Sequence, residues 1–296
     1  MNFSKSNIKI FIPVILVIGI CFGFIGCGSM QKTQPVITVT IQPQKYLLEK
    51  IVGDKYNVVC LLAQGSNPEA YEPSLNHIMN LEKSDAYFCI GNIGFELAIK
   101  NRVASNAPDL KIVDTSKGIA LLKGTHEGSE VGSGHSHEID PHVWTSVPNA
   151  KIIAKNMYDA VVEMDPKHKK YYTKNYDNLV SELDTLNSEL TRQLAPIRGT
   201  SFAVWHPSLS YFARDYGLKQ IAMENEGKEV TANMLKSEID HAKKAGVKVM
   251  FYQKEFDSRQ VETINNQLGT RLVEINPMNY NWVEEMHIIA NALTEK

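Results

Sequence analysis

Cysteine is scarce in this chain. Four occur among 296 residues, Cys21, Cys27, Cys60 and Cys89, and none has the close spacing of a zinc knuckle. Cys60 and Cys89 sit in the apolar runs "NVVCLLA" and "AYFCIG". They fit either a disulfide in an oxidising compartment or two buried thiols. Charge of one sign is also lacking. The formal net charge is −2 and no basic run stands out, which argues against a nucleic-acid partner. There is no internal repeat, no His-Glu-x-x-His helix and no Gly-x-Ser-x-Gly elbow, so the usual signatures of a zinc protease or a serine hydrolase are missing. What is present is length and apolar content. At 43% hydrophobic residues, the chain holds ordinary packed cores, and its length suits two domains of about 100–200 residues each.

The N-terminus reads as an export signal and not as part of the fold. "MNFSKSNIKI" supplies Lys5 and Lys9, and the apolar "FIPVILVIGICFGFIG" follows, ending in small residues before Cys27. An uncleaved membrane anchor is the alternative, because the apolar segment is longer than most signal cores. Gly26-Cys27 resembles the end of a bacterial lipobox, with Phe24 where that motif usually has Leu. The expectation is a signal peptide over 1–26, a lipidated tether over 27–35 beginning at Cys27, and acyl chains holding the protein to a membrane. Either way the folded part lies outside the cytoplasm, in the periplasm or on the outer face of the cell membrane.

From Val36 the chain alternates short apolar strands with helix-period segments, the pattern of a parallel sheet flanked by helices. Residues 36–148 make one such α/β lobe, and they include a His/Gly/Ser-rich loop over 124–138. Residues 149–196 are helical. Ile153, Met157, Val161 and Met164 mark one apolar face, and Tyr172, Tyr176, Leu179, Leu183, Leu186, Leu190 and Leu194 mark a second. After Pro166 this predicts a spine helix of about 29 residues, roughly 43 Å long. Residues 197–296 resume the strand–helix alternation. The fold class expected is therefore α/β: two parallel-sheet lobes joined by one long rigid helix, with a cleft between them.

Open parallel sheets bind ligands outside the carboxyl ends of their strands. Four metal-competent residues follow predicted strands. Glu69 lies in "NPEAYEP", His142 in "DPHVW", His206 in "HPSLSYFARDYGL" and Asn276 in "NPMNYNW". Two come from each lobe. Imidazole suits zinc, copper, nickel and iron, and a carboxylate widens the range toward manganese. Each residue alone has an ordinary structural explanation, and the combination carries the reading. His77, His168, His241 and His287 fall in or at the start of predicted helices and are assigned no metal.

The segments "GSNPEAYEPS", "DPHVW", "HPSLSYFARDYGL" and "INPM" resemble the four signature segments of the zinc- and manganese-binding lipoproteins that serve bacterial ABC importers, also called metal-binding adhesin-type lipoproteins. The resemblance spans nearly the whole mature chain. It implies two lobes on a rigid helix, an ion held between them, and delivery to an ABC permease and its ATPase by a monomeric, membrane-tethered protein. His142 and His206 match directly. Glu69 stands where the family usually has His, and Asn276 where it usually has Asp. A neutral amide is a poorer ligand than a carboxylate, so Asn276 either ligates weakly or orients another group. His at the third segment resembles the zinc binders, and Glu69 pulls toward manganese or iron. The transported ion expected is Zn2+, with Mn2+ or Fe2+ as the alternative.

His126, His135 and His137 sit in the Gly/Ser-rich stretch before His142. Such a segment cannot hold them rigidly, so they form an auxiliary zinc sink or an incidental solvated loop. Two other classes of function compete with a transport protein. One is a zinc hydrolase with two His and one Glu around a bound water, and the other is a surface adhesin with a structural metal.

Overall fold

The computed structural model of the chain describes residues 34–63, 65–66, 68, 71–124, 139–224, 231–254, 256 and 258–295. The first lobe runs β1 (Val36–Val39), α1 (Gln42–Val52), β2 (Asn57–Cys60), α2 (Leu75–Leu81), β3 (Ala86–Cys89), α3 (Gly94–Asn106) and β4 (Lys111–Asp114). All pairings are parallel and the strand order is β2-β1-β3-β4. β1 and β3 are short apolar runs, almost wholly buried, as central strands covered on both faces must be. Ser74 caps α2 by accepting from the His77 N–H, one of the orphan donors at a helix start.

Two helices follow. α4 (Val147–Met164) starts at Ser146, whose side chain accepts from the Asn149 N–H, and it buries Ile153, Met157 and Val161. α5 (Lys169–Leu194) is 26 residues long and buries Tyr172, Leu179, Leu183, Leu186, Leu190 and Leu194 in one stripe. At 1.5 Å per residue it spans about 39 Å. It is slightly shorter than the periodicity predicts, because Pro166 and Pro196 fall in single 3-10 turns at its two ends, where a missing N–H costs least.

The second lobe repeats the first: β5 (Ser201–Val204), α6 (Ser210–Tyr216), β6 (Lys219–Ala222), α7 (Ala232–Lys244), β7 (Val249–Gln253), α8 (Ser258–Leu268), β8 (Arg271–Ile275) and α9 (Trp282–Thr294). Its order is β6-β5-β7-β8, again all parallel. Gly217 closes α6 in the left-handed conformation, which glycine adopts without steric cost. Side chains alternate across β5. Phe202 and Val204 join one core, and Ala203 and Trp205 the other.

The larger core does not stop at the lobe boundary. Ile37 and Phe88 of the first sheet, Ile153 of α4, Leu183 and Leu190 of α5, and Phe202, Phe251 and Met286 of the second lobe belong to one continuous buried cluster. α5 lies against α1 and α4 and also against α9 of the second lobe. Each leucine of its stripe contributes about 1.5–3 kcal/mol by burial, so the spine binds both lobes into one body.

Candidate metal centre

In each sheet the chain leaves the first strand in one direction and returns on its other side. The order of the second sheet therefore has its reversal between β5 and β7. Open α/β sheets take ligands at such a point, beyond the strand carboxyl ends.

His206 stands two residues beyond β5. Trp205 N–H still donates to Phe251 O at 2.7 Å, and His206 O accepts from Ser208 N–H at 2.7 Å, so the backbone on both sides of the histidine is fixed. Its Nδ1 lies 2.5 Å from Glu224 Oε1. Glu224 is itself held, its N–H donating to Trp205 O at 3.0 Å. The imidazole stacks on the Phe256 ring.

His142 arrives from the other lobe. The chain passes through a single antiparallel bridge between Lys123 and Ile139, and Asp140 N–H donates to Leu122 O. Tyr211 Oη donates to Asp140 O at 2.8 Å and accepts from Leu122 N–H at 3.0 Å. Asp140 Oδ1 then accepts from both the backbone N–H and Nδ1 of His142, each at 2.9 Å. Burial pushes the Asp140 carboxyl up, yet the hydrogen bonds and charge of His142, with Ser210, outweigh it and hold the group below its ordinary value. An ionised carboxylate is an acceptor only, which fixes the His142 proton on Nδ1.

Both histidines are thus gripped through Nδ1 by a carboxylate, the arrangement that orients metal-bound imidazoles and raises their basicity. Their Nε2 atoms face each other at 3.2 Å across the lobes, and both residues are buried. Two nitrogens each about 2.0–2.1 Å from a tetrahedral zinc stand about 3.3–3.4 Å apart. The pair is therefore spaced to receive one ion.

The cavity around them includes Pro68, Trp144, Gln253, Pro277 and Met278, and leaves about 10 Å³ for the centre of a water-sized sphere. That is room for one small particle. Larger hollows lie on the outer flank of α5, at Asp177–Arg192 and Pro166–Asn178. They are open to solvent and gather only surface side chains.

Glu69, His126, His135, His137 and Cys27 lie outside the described residues. Pro68, the residue before Glu69, lines the cavity. Asn276 is close by in the chain, but its Oδ1 accepts from Met278 N–H at 3.1 Å and its N–H donates to Glu285 at 2.7 Å, so it shapes the turn that presents Pro277 and Met278. Among the described residues no group of three or more His, Cys, Asp or Glu side chains converges. The other four histidines have acidic or aromatic neighbours on or beside helices: His77 with Tyr71, His168 with Asp165, His241 with Glu238 and His287 with Glu189. Cys60 and Cys89 are free thiols, both pushed up to about 12 by burial.

Three residues that shape the site escape a reading of the sequence. Asp140 and Glu224 hold the imidazoles, and Gln253 ends β7 beside His206. The strand-end rule reaches Glu224 and Gln253 once β6 and β7 are known to flank β5. Asp140 is the first residue of "DPHVW" itself.

Residues 37–295 match the protein family described as "Zinc-uptake complex component A periplasmic". The chain is 27% identical over 280 residues to the high-affinity zinc uptake system protein ZnuA of Bacillus subtilis, covering 89% of this chain and 88% of that protein. It is 25% identical over 276 residues to the zinc-binding lipoprotein AdcA of Streptococcus pneumoniae, of which it spans about half, 54%. Among solved structures it resembles a ZnuA crystal structure with a TM-score of 0.80 and 33% identity, covering 88% of this chain and 98% of that one. A ZnuA deletion mutant with zinc bound gives a TM-score of 0.79 at 33% identity, covering 88% and 99%. FpvC of Pseudomonas aeruginosa in complex with Mn2+ gives 0.75 at 26% identity, covering 88% and 97%.

Proposed function

Because the chain belongs to the family of periplasmic zinc-uptake component A proteins, we propose that it captures zinc outside the cytoplasm and delivers it to an ABC permease powered by its ATPase. The observation that carries this reading is the pair of Nε2 atoms 3.2 Å apart, each imidazole held from behind by a buried or half-buried carboxylate. His142 and His206 are the nitrogen ligands. Glu69 is the carboxylate ligand, supported by Pro68 in the cavity wall. Zinc is the cargo, and manganese and iron are its competitors for the same donors.

A hydrolase needs space beside the metal for a water and a scissile bond. A cavity that admits one small particle supports storage and transfer instead. Cys27 is proposed as the lipid anchor, and His126, His135 and His137 as a loose collecting loop. The cleft site stands without that loop: deleting 125–138 is expected to leave one tight zinc site, and loss of tight binding would place the site in the loop.

The direct test is a zinc titration against a competing chelator. His142→Ala and His206→Ala are each expected to abolish tight binding while the protein stays folded. Unchanged affinity in both overturns the assignment. Parallel titrations with Mn2+ and Fe2+ rank the cargo.

A further inference from the structure

Gln253 Oε1 is the one buried side-chain oxygen or nitrogen among the described residues that has no hydrogen-bond partner. Folded proteins rarely leave such an atom unpaired, and an ion is one of the few things that explains it. The orphan is not in a remote packing defect. Gln253 lines the same cavity as His142 and His206 and is 94% buried, with 6% of its surface exposed.

The backbone fixes its level. β7 lies beside β5 with Val204 opposite Phe251, so continuing the register two residues puts His206 opposite Gln253. On its other side Gln253 pairs with Ile275, the residue before the Asn276 turn. Gln253 therefore stands at the strand reversal where the second sheet is built to take a ligand. Its amide is also held: Nε2 donates to Ser208 Oγ at 3.1 Å, and Ser208 is tied by its N–H to His206 O. The contact that leaves Oε1 unpaired connects the amide to the backbone of the metal-binding histidine.

We propose that Gln253 Oε1 is an oxygen ligand of the transported ion. This rests on the zinc-site reading above and extends it. With His142, His206 and Glu69 it completes a four-donor set of two imidazoles, one carboxylate and one neutral carbonyl, the number a closed zinc site takes. Asn276, the other amide at this end of the sheet, has its oxygen engaged in its own turn.

The test uses full-length protein in detergent, comparing wild type, Gln253→Leu, Gln253→Glu and His206→Ala. Zinc affinity is read by chelator competition, the coordination sphere by the visible spectrum of bound Co2+, and the fold by near-ultraviolet circular dichroism. Gln253→Leu is expected to weaken zinc binding by at least the 10- to 100-fold typical of losing a group that supports a metal, and to change the Co2+ spectrum. Gln253→Glu, which keeps the shape and offers a charged oxygen, is expected to bind zinc at least as tightly as wild type. A folded Gln253→Leu protein with wild-type affinity and spectrum overturns the proposal and leaves the zinc site standing. If Gln253→Leu does not fold, a Gln253→Glu protein with an unchanged Co2+ spectrum overturns it equally. Wild-type zinc affinity in His206→Ala sinks the zinc-site reading itself.

Discussion

Trp282 donates its indole N–H to the backbone carbonyl of Trp144 at 2.9 Å, and Trp144 donates its own to the carbonyl of Pro277 at 3.0 Å. Trp144 lies two residues after His142, while Pro277 and Trp282 belong to the second lobe. Both rings are almost fully buried. The two hydrogen bonds fasten the segment carrying His142 to the far lobe, so the spacing of the histidines is set by a lock as well as by the spine.

Trp282→Phe should open half of that lock. The Trp144 carbonyl would lose its donor in a buried setting, a loss of about 1–3 kcal/mol. Urea denaturation is expected to report a drop of that size, with zinc affinity falling as well. Full stability with full affinity would show that the spine alone sets the geometry.

Asp140→Asn and Glu224→Gln keep the shape of each support and remove its charge. Outer-shell partners of metal-bound histidines are worth about 10- to 100-fold in affinity, and a loss in that range is expected for each. The double variant should lose more than either single one, because the two carboxylates act on different ligands. Chelator competition measures all three.

Zinc binding should weaken as pH falls toward 5, since a ligating imidazole must be neutral. Asp140 behaves differently. Its carboxyl is held below the ordinary value in the folded protein. Its contribution to stability is therefore present in full above the ordinary range near 3.9 and disappears only as pH drops through the lowered folded value. Affinity lost at pH 5 while the fold remains intact is the expected pattern, read by titration and circular dichroism together. Joint loss of both would place the acid-sensitive step in the fold.

Leu186→Ala, in the buried stripe of α5, should destabilise by about 2–5 kcal/mol. Because the core is continuous, tryptophan fluorescence and far-ultraviolet circular dichroism are expected to fall along one urea curve. Two separated transitions would mean that the lobes unfold independently.

Much of this architecture is legible in the sequence, for identifiable reasons. The leucine stripe from Leu179 to Leu194 repeats often enough to specify a helix, and runs such as "VITV" and "AYFC" admit few alternatives to buried strands. His142 and His206 stand out because imidazole is a ready metal ligand and both follow strands. Gln253 does not, since a neutral amide is no metal signature in itself and its importance depends on β7 lying next to β5, a pairing that no local pattern encodes. Glu224 is hidden for the same reason, through β6. Asn276 is marked by its type and place as a ligand or an orienting group, and its oxygen accepts from Met278 N–H in a local turn that its neighbour Pro277 favours.

The bridge between Lys123 and Ile139 also gives the molecule an insertion port. The chain enters and leaves residues 124–138 at adjacent points, so the distance to be spanned is fixed whatever lies between. Lengthening a closed excursion adds entropy cost only slowly, about 0.6 kcal/mol per doubling. A fluorescent reporter or an affinity peptide placed there would be carried close to His142 in the chain without lengthening any connection inside the two lobes or the spine.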